Sequence, residues 1–207
     1  NSIQSAQSYK KKLESTERGS FKLRVDINFD NTINRITIKD NAAGIATNDY
    51  ERAFRPAEAP PDASGLSEFG MGMKSAACWF SPKWHVRSSA LGEIDERTIF
   101  FDVDKIVNDS IEELDVVRTT ASESAHYTEI VLEDIRKFPK GKTLSKIRDH
   151  LASIYRIHIR DGLLDLYLDG TKLCYEPTAI LNVPSYKNPE GDNIKWKKEF
   201  SIDLGDK

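Results

Sequence analysis

The chain has only two cysteines, Cys78 and Cys174, and neither stands in the paired spacing of a disulfide framework or a zinc knuckle. Its four histidines are scattered, without the HExxH arrangement of a zinc hydrolase. No apolar run approaches the roughly 20 residues of a membrane-spanning helix, and no secretory signal is recognisable. Neither sign of charge is in excess. Thirty basic residues stand against 33 acidic ones, a net charge of −3, so the footprint of a nucleic-acid-binding domain is missing. Internal repeats and low-complexity tracts are also lacking. What remains is a cytoplasmic globular protein with reduced, buried thiols. Its 207 residues suffice for one domain and an appendage.

Residues 1 to about 13 read as a helix with Ile3, Ala6, Tyr9 and Leu13 on one side, entered partway because no N-cap precedes Asn1. Phe21, Leu23, Val25, Ile27 and Phe29 alternate with polar residues, the pattern of a half-buried strand. A turn at Asp30-Asn31 leads into a second strand, Arg35 to Lys39, that ends at Asp40. Residues 48–54 form a short helix, and 55–65 are a Pro- and Ala-rich loop without periodicity. Further strands are expected at 83–88, 97–103, 114–118 and 128–132. Thr143 is expected to cap a helix that carries Leu144, Ile147, Leu151, Ile154, Tyr155 and His158, with His150 and His158 in or beside its apolar face. A hairpin turns at Asp169-Gly170. Strands dominate the middle and helices lie at the edges, so an α+β sandwich is favoured over a doubly wound sheet.

The stretch Ser67-Glu68-Phe69-Gly70-Met71-Gly72-Met73-Lys74-Ser75 runs into a helix-compatible segment. Glycine lets the backbone approach a ligand, and a helix N-terminus presents unpaired N–H groups with partial positive charge. That combination suits polyphosphate, and Lys74 adds a point charge. By itself it would equally be a turn before a core helix. Two companions lie upstream, Asp40-Asn41-Ala42-Ala43-Gly44 and Asn1-Ser2-Ile3-Gln4-Ser5-Ala6.

Taken in order, the three motifs resemble the GHKL superfamily of Bergerat-fold ATPases, with the MORC-like and heat-shock-chaperone-like members nearest. The resemblance covers about residues 1–175. It implies an α+β fold, a two-layer α/β sandwich with a mixed, mostly antiparallel sheet, over 1–180, with 181–207 as a linker and the start of a transducer-like domain. It implies ATP and Mg²⁺ as ligands. Asn1 matches the metal-binding asparagine, with Ser5 one turn further on; alone, Asn1 would read as a solvated terminal residue. The family's water-activating glutamate precedes that asparagine by four residues, upstream of this sequence, so no catalytic residue is assigned here. Asp40 matches the aspartate that reads adenine, followed by Gly44 and Ile45, and Ala42 replaces the family's first glycine. Phe69 to Lys74 (Phe69, Gly70, Met71, Gly72, Met73 and Lys74) match the phosphate motif, with Ser67 in place of its first glycine. Thr128 matches the strand threonine near adenine, and Tyr127 stands where a glycine is usual. The loop from Ala46 to Leu66 corresponds to the nucleotide lid.

The implied function is Mg-dependent ATP binding and slow hydrolysis that drives clamp-like homodimerisation of a larger, DNA-associated or defence-related protein. A non-hydrolysing nucleotide sensor, a chaperone and a histidine-kinase domain are the alternatives. DNA contact would have to use the clusters at Lys10-Lys11-Lys12, Lys137 to Lys146 or Lys195 to Lys198, and the net charge gives it no support. Gly141-Lys142-Thr143 lacks the glycine a P-loop needs five positions earlier, where Arg136 stands, so it reads as a turn and helix start.

Overall fold

A computed structural model describes residues 2–55, 72–175 and 182–195. Two compact units divide the chain, Asn1–Tyr175 and Glu176–Lys207. Within the second, the described residues form a small antiparallel pair, Asn182–Val183 with Ile194–Lys195. The rest concerns the first unit.

Its elements run α1 (Ser2–Ser8), α2 (Lys10–Thr16), β1 (Leu23–Asp30), β2 (Arg35–Asp40), α3 (Thr47–Phe54), α4 (Gly72–Phe80), β3 (Lys83–Ser89) and β4 (Asp95–Asp102). There follow α5 (Val103–Asn108), β5 (Val116–Thr120), β6 (Tyr127–Glu133), α6 (Lys142–Ile154), α7 (Arg156–Arg160), β7 (Leu164–Leu168) and β8 (Thr171–Lys172). The eight strands form one sheet in the order β5-β4-β3-β6-β2-β1-β7-β8. Among the described strands, only the β1–β7 pair is parallel. This is the α+β sandwich that the strand pattern implies, with the mixed, mostly antiparallel sheet that the family resemblance implies.

Alternation along each strand sorts residues onto two faces, and the register turns that alternation into rows across the sheet. One inner row reads Leu168, Ile27, Ile38, Ile130, Val86, Ile99, Val116 and is apolar throughout. Another reads Phe29, Ile36, Leu132, Trp84, Phe101, and in it Trp84 and Phe101 stack with centroids 3.7 Å apart. The remaining row, at the β2 exit, begins apolar with Leu166 and Val25 and then turns polar: Asp40, Thr128, Ser88, Arg97, Arg118. Helices bury the apolar rows. Ile3 and Ala6 of α1 and Ala152 of α6 share one cluster with Leu23, Leu164, Leu166 and Leu168. Tyr50 of α3 and Ala77 of α4 share another with Ile36, Trp84, Val86 and Leu132. A fully buried leucine such as Leu166 or Leu168 contributes about 1.5–3 kcal/mol. The outer face carries ion pairs such as Arg87–Glu129 at 2.7 Å and Lys172–Asp165 at 2.7 Å.

Several expectations need correction. The first helix is interrupted at Tyr9, which is 39% exposed, while Ile3, Ala6 and Leu13 are buried as expected. Thr143 is not the cap: Gly141, at φ 52°, takes that position and α6 starts at Lys142, since glycine adopts positive φ at little cost. His150 is exposed, lying one residue, about 100°, off the stripe that carries Leu151. Ile154 is 53% exposed because Tyr155 breaks the helix and shifts the buried stripe to Ile159. Cys174 is exposed and Cys78 only half-buried, so the thiols are not both interior. The short α5, in which the Asp102 carboxylate accepts the Lys105 N–H, was not expected, although Val103, Ile106 and Val107 stand at helical spacing.

Candidate functional site

Asp40 ends β2 at the point where the inner row turns polar. Its Oδ2 accepts the Ser2 hydroxyl at 2.6 Å and its Oδ1 the Ala42 N–H at 2.9 Å. The Thr128 backbone N–H, directly across the register, also favours its ionised form. Burial nevertheless raises the Asp40 pKa above the ordinary value, with the donors from Ser2, Ala42 and Thr128 opposing. An ionised carboxylate has about four acceptor positions, so with Ser2 and Ala42 as donors it keeps capacity for an incoming one.

The loop after Asp40 is fixed from several sides. The Asn41 side chain accepts the Arg24 N–H at 2.7 Å and donates to the Lys22 carbonyl at 3.1 Å. His126 Nδ1 lies 2.9 Å from the Asn41 carbonyl oxygen, a contact that requires the proton on Nδ1. Ala42 is 2% exposed and belongs to the core cluster, so its methyl group fills interior space. Gly44 has φ +74°, and a Cβ there would lie 2.0 Å from the Ser89 carbonyl oxygen. No other residue fits without moving strand β3. That approach lets the Ile45 N–H reach the Ser88 hydroxyl at 2.9 Å. Ser88 in turn donates to the Tyr127 carbonyl at 2.9 Å and sits 3.2 Å from the Thr128 hydroxyl. Asp40, Gly44 and Ile45, predicted from one motif, and Thr128, predicted from another, are thereby brought together.

Ser2 and Ser88 were missed. A signal existed for Ser88: it falls on the inward phase of β3, after Trp84 and Val86, where an apolar residue would be expected. Ser5 is half-buried on α1, three residues beyond Ser2. Asn1, Phe69, Gly70 and Met71, and with them Ser67 and the 56–66 part of the proposed lid, lie outside the described residues. Gly72 opens α4, and a Cβ on it would meet nothing within 4 Å. Met73 packs against the cluster around Trp84.

Lys74 follows in the first turn of α4. Among the acceptors around its ammonium are the carbonyls of Ala53 at 2.9 Å and Arg55 at 2.6 Å, at the C-terminal end of α3. At the other end of α3, Glu93 accepts the Thr47 N–H at 2.9 Å and its hydroxyl at 2.7 Å. Arg97, 4% exposed, holds Glu93 at 2.5 Å and the Thr47 hydroxyl at 2.6 Å. Burial alone would push the Glu93 carboxyl up; the hydrogen bonds from Thr47 and Arg97 outweigh it and hold the pKa below the usual value. Tyr50, on the buried side of α3, has its phenol pushed up to about 12 by burial, against the nearby Arg97 charge.

A part-buried carboxylate with a spare acceptor position can select a neutral amine-bearing ring. The first turn of α4 offers N–H groups and open space to an anion. Among the described residues no cluster of His, Cys, Asp and Glu could hold a metal ion, and no helix is long and apolar enough to cross a membrane.

Residues 1–139 match the family described as "Histidine kinase-, DNA gyrase B-, and HSP90-like ATPase". No curated protein matches the chain. Among solved structures, the ATPase region of Saccharomyces cerevisiae topoisomerase II is similar at a TM-score of 0.54 and 14% identity, over 84% of this chain and 47% of that one. The ATPase and transducer domains of DNA topoisomerase II from Balamuthia mandrillaris give 0.55 and 17%, over 83% and 46%. This likeness is one of fold, and the chain spans about half the length of either structure.

Proposed function

Since the chain belongs to the family of histidine kinase-, DNA gyrase B- and HSP90-like ATPases, we propose that it binds ATP between the Asp40 loop and the first turn of α4, and that it hydrolyses ATP slowly. The observation that carries this reading is the Asp40 carboxylate, held in place by Ser2 and Ala42 with acceptor capacity to spare. The exocyclic amine of adenine would take up that capacity. Guanine presents a carbonyl there, which would face the carboxylate unpaired, so GTP is rejected. Ile45 lies beside the base, and Gly44 keeps Ile45 on Ser88.

The triphosphate would run to the N–H groups of Gly72, Met73 and Lys74, with the rest of the glycine motif contributing. The donor set present fits ATP, a carboxylate for the base and backbone N–H groups with a lysine for the phosphates. Asn1, the match to the family's metal-binding asparagine, would supply an amide oxygen to Mg²⁺, which neutralises phosphate charge when bound. Turnover further needs a carboxylate to activate water, which the family carries four residues before the position of Asn1. In the longer protein, nucleotide-dependent association of two copies in the clamp-like manner of MORC-like relatives is part of the same proposal.

Calorimetric titration of ATP and GTP, with and without Mg²⁺, into wild type and Asp40→Asn tests it. ATP alone should bind, and the variant should lose it. Absence of ATP binding by wild type sinks the reading. Binding without turnover, in protein that includes the preceding helix, would make it a nucleotide sensor.

A further inference from the structure

Helix α3 has only eight residues, Thr47–Phe54, too few to be stable alone. Charged side chains from outside hold both of its ends. Glu93, on the turn before β4, meets the N-terminal Thr47, and the ammonium of Lys74, from α4, meets the C-terminal carbonyls of Ala53 and Arg55. Each charge has the sign that the helix dipole favours at its end. Between the ends, Tyr50 and Phe54 pack against each other and Phe54 against Phe101. The lysine that caps α3 also belongs to the segment expected to receive phosphates. One ammonium cannot satisfy both sets of oxygens with full geometry, because its three N–H donors are few.

We propose that the phosphates of a bound nucleotide compete with the C-terminal carbonyls of α3 for Lys74, so that phosphate binding loosens α3, while Glu93 and Arg97 set how strongly α3 competes. This rests on the nucleotide reading above and specifies how that site is regulated. Adenosine, which engages Asp40 but has no phosphate, leaves Lys74 on α3. ATP withdraws it. Glu93 and Arg97 are positioning residues here: they act on the phosphate site only through α3, an eight-residue helix about 12 Å long.

Hydrogen–deuterium exchange of the full chain, with saturating ATP, with saturating adenosine and without ligand, reads the state of α3 directly. The segment 49–55 should exchange faster with ATP than with adenosine. Equal or slower exchange with ATP overturns the proposal. A second measurement uses Glu93→Gln, which weakens the N-terminal hold on α3. Its ATP affinity should rise by roughly two- to tenfold, the range for one charge at a helix end, and its adenosine affinity should not follow. A merely structural role for Glu93 predicts weaker or unchanged ATP binding, and that result overturns the proposal. If neither ligand binds wild type, the nucleotide reading falls and takes this one with it. ATP binding with an unmoved α3 overturns this one alone.

Discussion

Gly44→Ala offers a test in which the structure sets the magnitude, with Gly92→Ala as its control. Both glycines have positive φ, +74° and +86°, so both alanines carry the same conformational cost, about 1–2 kcal/mol. Only Gly44 meets a second obstacle. Its added Cβ would lie 2.0 Å from the Ser89 carbonyl oxygen, 2.7 Å from the Ser89 carbonyl carbon and 2.9 Å from the Ala90 Cα, whereas at Gly92 nothing lies within 4 Å. The obstructing atoms are backbone in a central strand and its exit, so relief requires moving the 41–46 loop away from β3. Overpacking of that kind costs about 1–3 kcal/mol more. At roughly 2–4 °C per kcal/mol for a chain of this size, Gly92→Ala should melt about 2–8 °C below wild type and Gly44→Ala roughly 4–20 °C below. The displacement also pulls the Ile45 N–H from Ser88 and disturbs Thr128 and Asp40, so Gly44→Ala should lose ATP binding while Gly92→Ala keeps it. Thermal unfolding followed by circular dichroism, paired with calorimetric ATP titration, gives both readouts. Equal melting temperatures and equal ATP affinities for the two variants would refute the packing argument at Gly44.

Asp40→Asn exchanges the acceptor facing the adenine amine for a neutral amide, and ATP affinity should fall roughly 10- to 100-fold, the worth of a charge-assisted hydrogen bond. Because burial raises the Asp40 pKa, wild-type ATP affinity should decline on acidification before an ordinary carboxylate would protonate, and the decline should be absent in the variant. The stability effect of the same group has the opposite sign. A carboxyl whose pKa is higher folded than unfolded takes up protons on folding, so the nucleotide-free protein gains stability as pH falls through that window; unfolding midpoints across pH, with and without ATP, separate the two. Ser88→Ala leaves the Ile45 N–H and the Tyr127 carbonyl without their partner at a site 1% exposed, and urea unfolding should show a loss of about 2 kcal/mol. Cys174 is exposed and Cys78 half-buried, so a thiol reagent should label Cys174 first in the native protein; faster labelling of Cys78 contradicts the burial of α4.

Much of the sheet was legible in the sequence because a strand with one buried face must alternate, and Leu23 to Phe29 do so without interruption. Asp40 and Gly44 were legible for a related reason, a carboxylate at a strand end and a glycine where the chain folds back. The partners that make them a site were not. Ser2 reaches Asp40 across 38 residues and Ser88 reaches Ile45 across 43, separations at which periodicity carries no information. Glu93 and Arg97 belong to no motif; the register sets Arg97 on the inner row beside Ser88, where it is buried and holds Glu93. The α6–α7 break at Tyr155 was hidden because the apolar spacing continues through it. The pairing of β1 with β7 leaves no local trace at all.

That one parallel pair has a consequence for how the chain becomes a domain. β1 lies near the start of the first unit and β7 near its end, yet Leu23 to Ile27 are hydrogen-bonded along Leu164 to Leu168. While the chain is being synthesised, one edge of β1 stays unpaired until nearly the whole unit has emerged, and Leu23 waits for the leucines that will cover it. Long-range pairing of this sort slows folding, and an open strand edge invites other chains to pair with it. A fragment cut anywhere between β6 and β7 would keep Asp40, Gly44 and Lys74 in sequence. It would present β1 as a sticky edge, and should aggregate rather than bind.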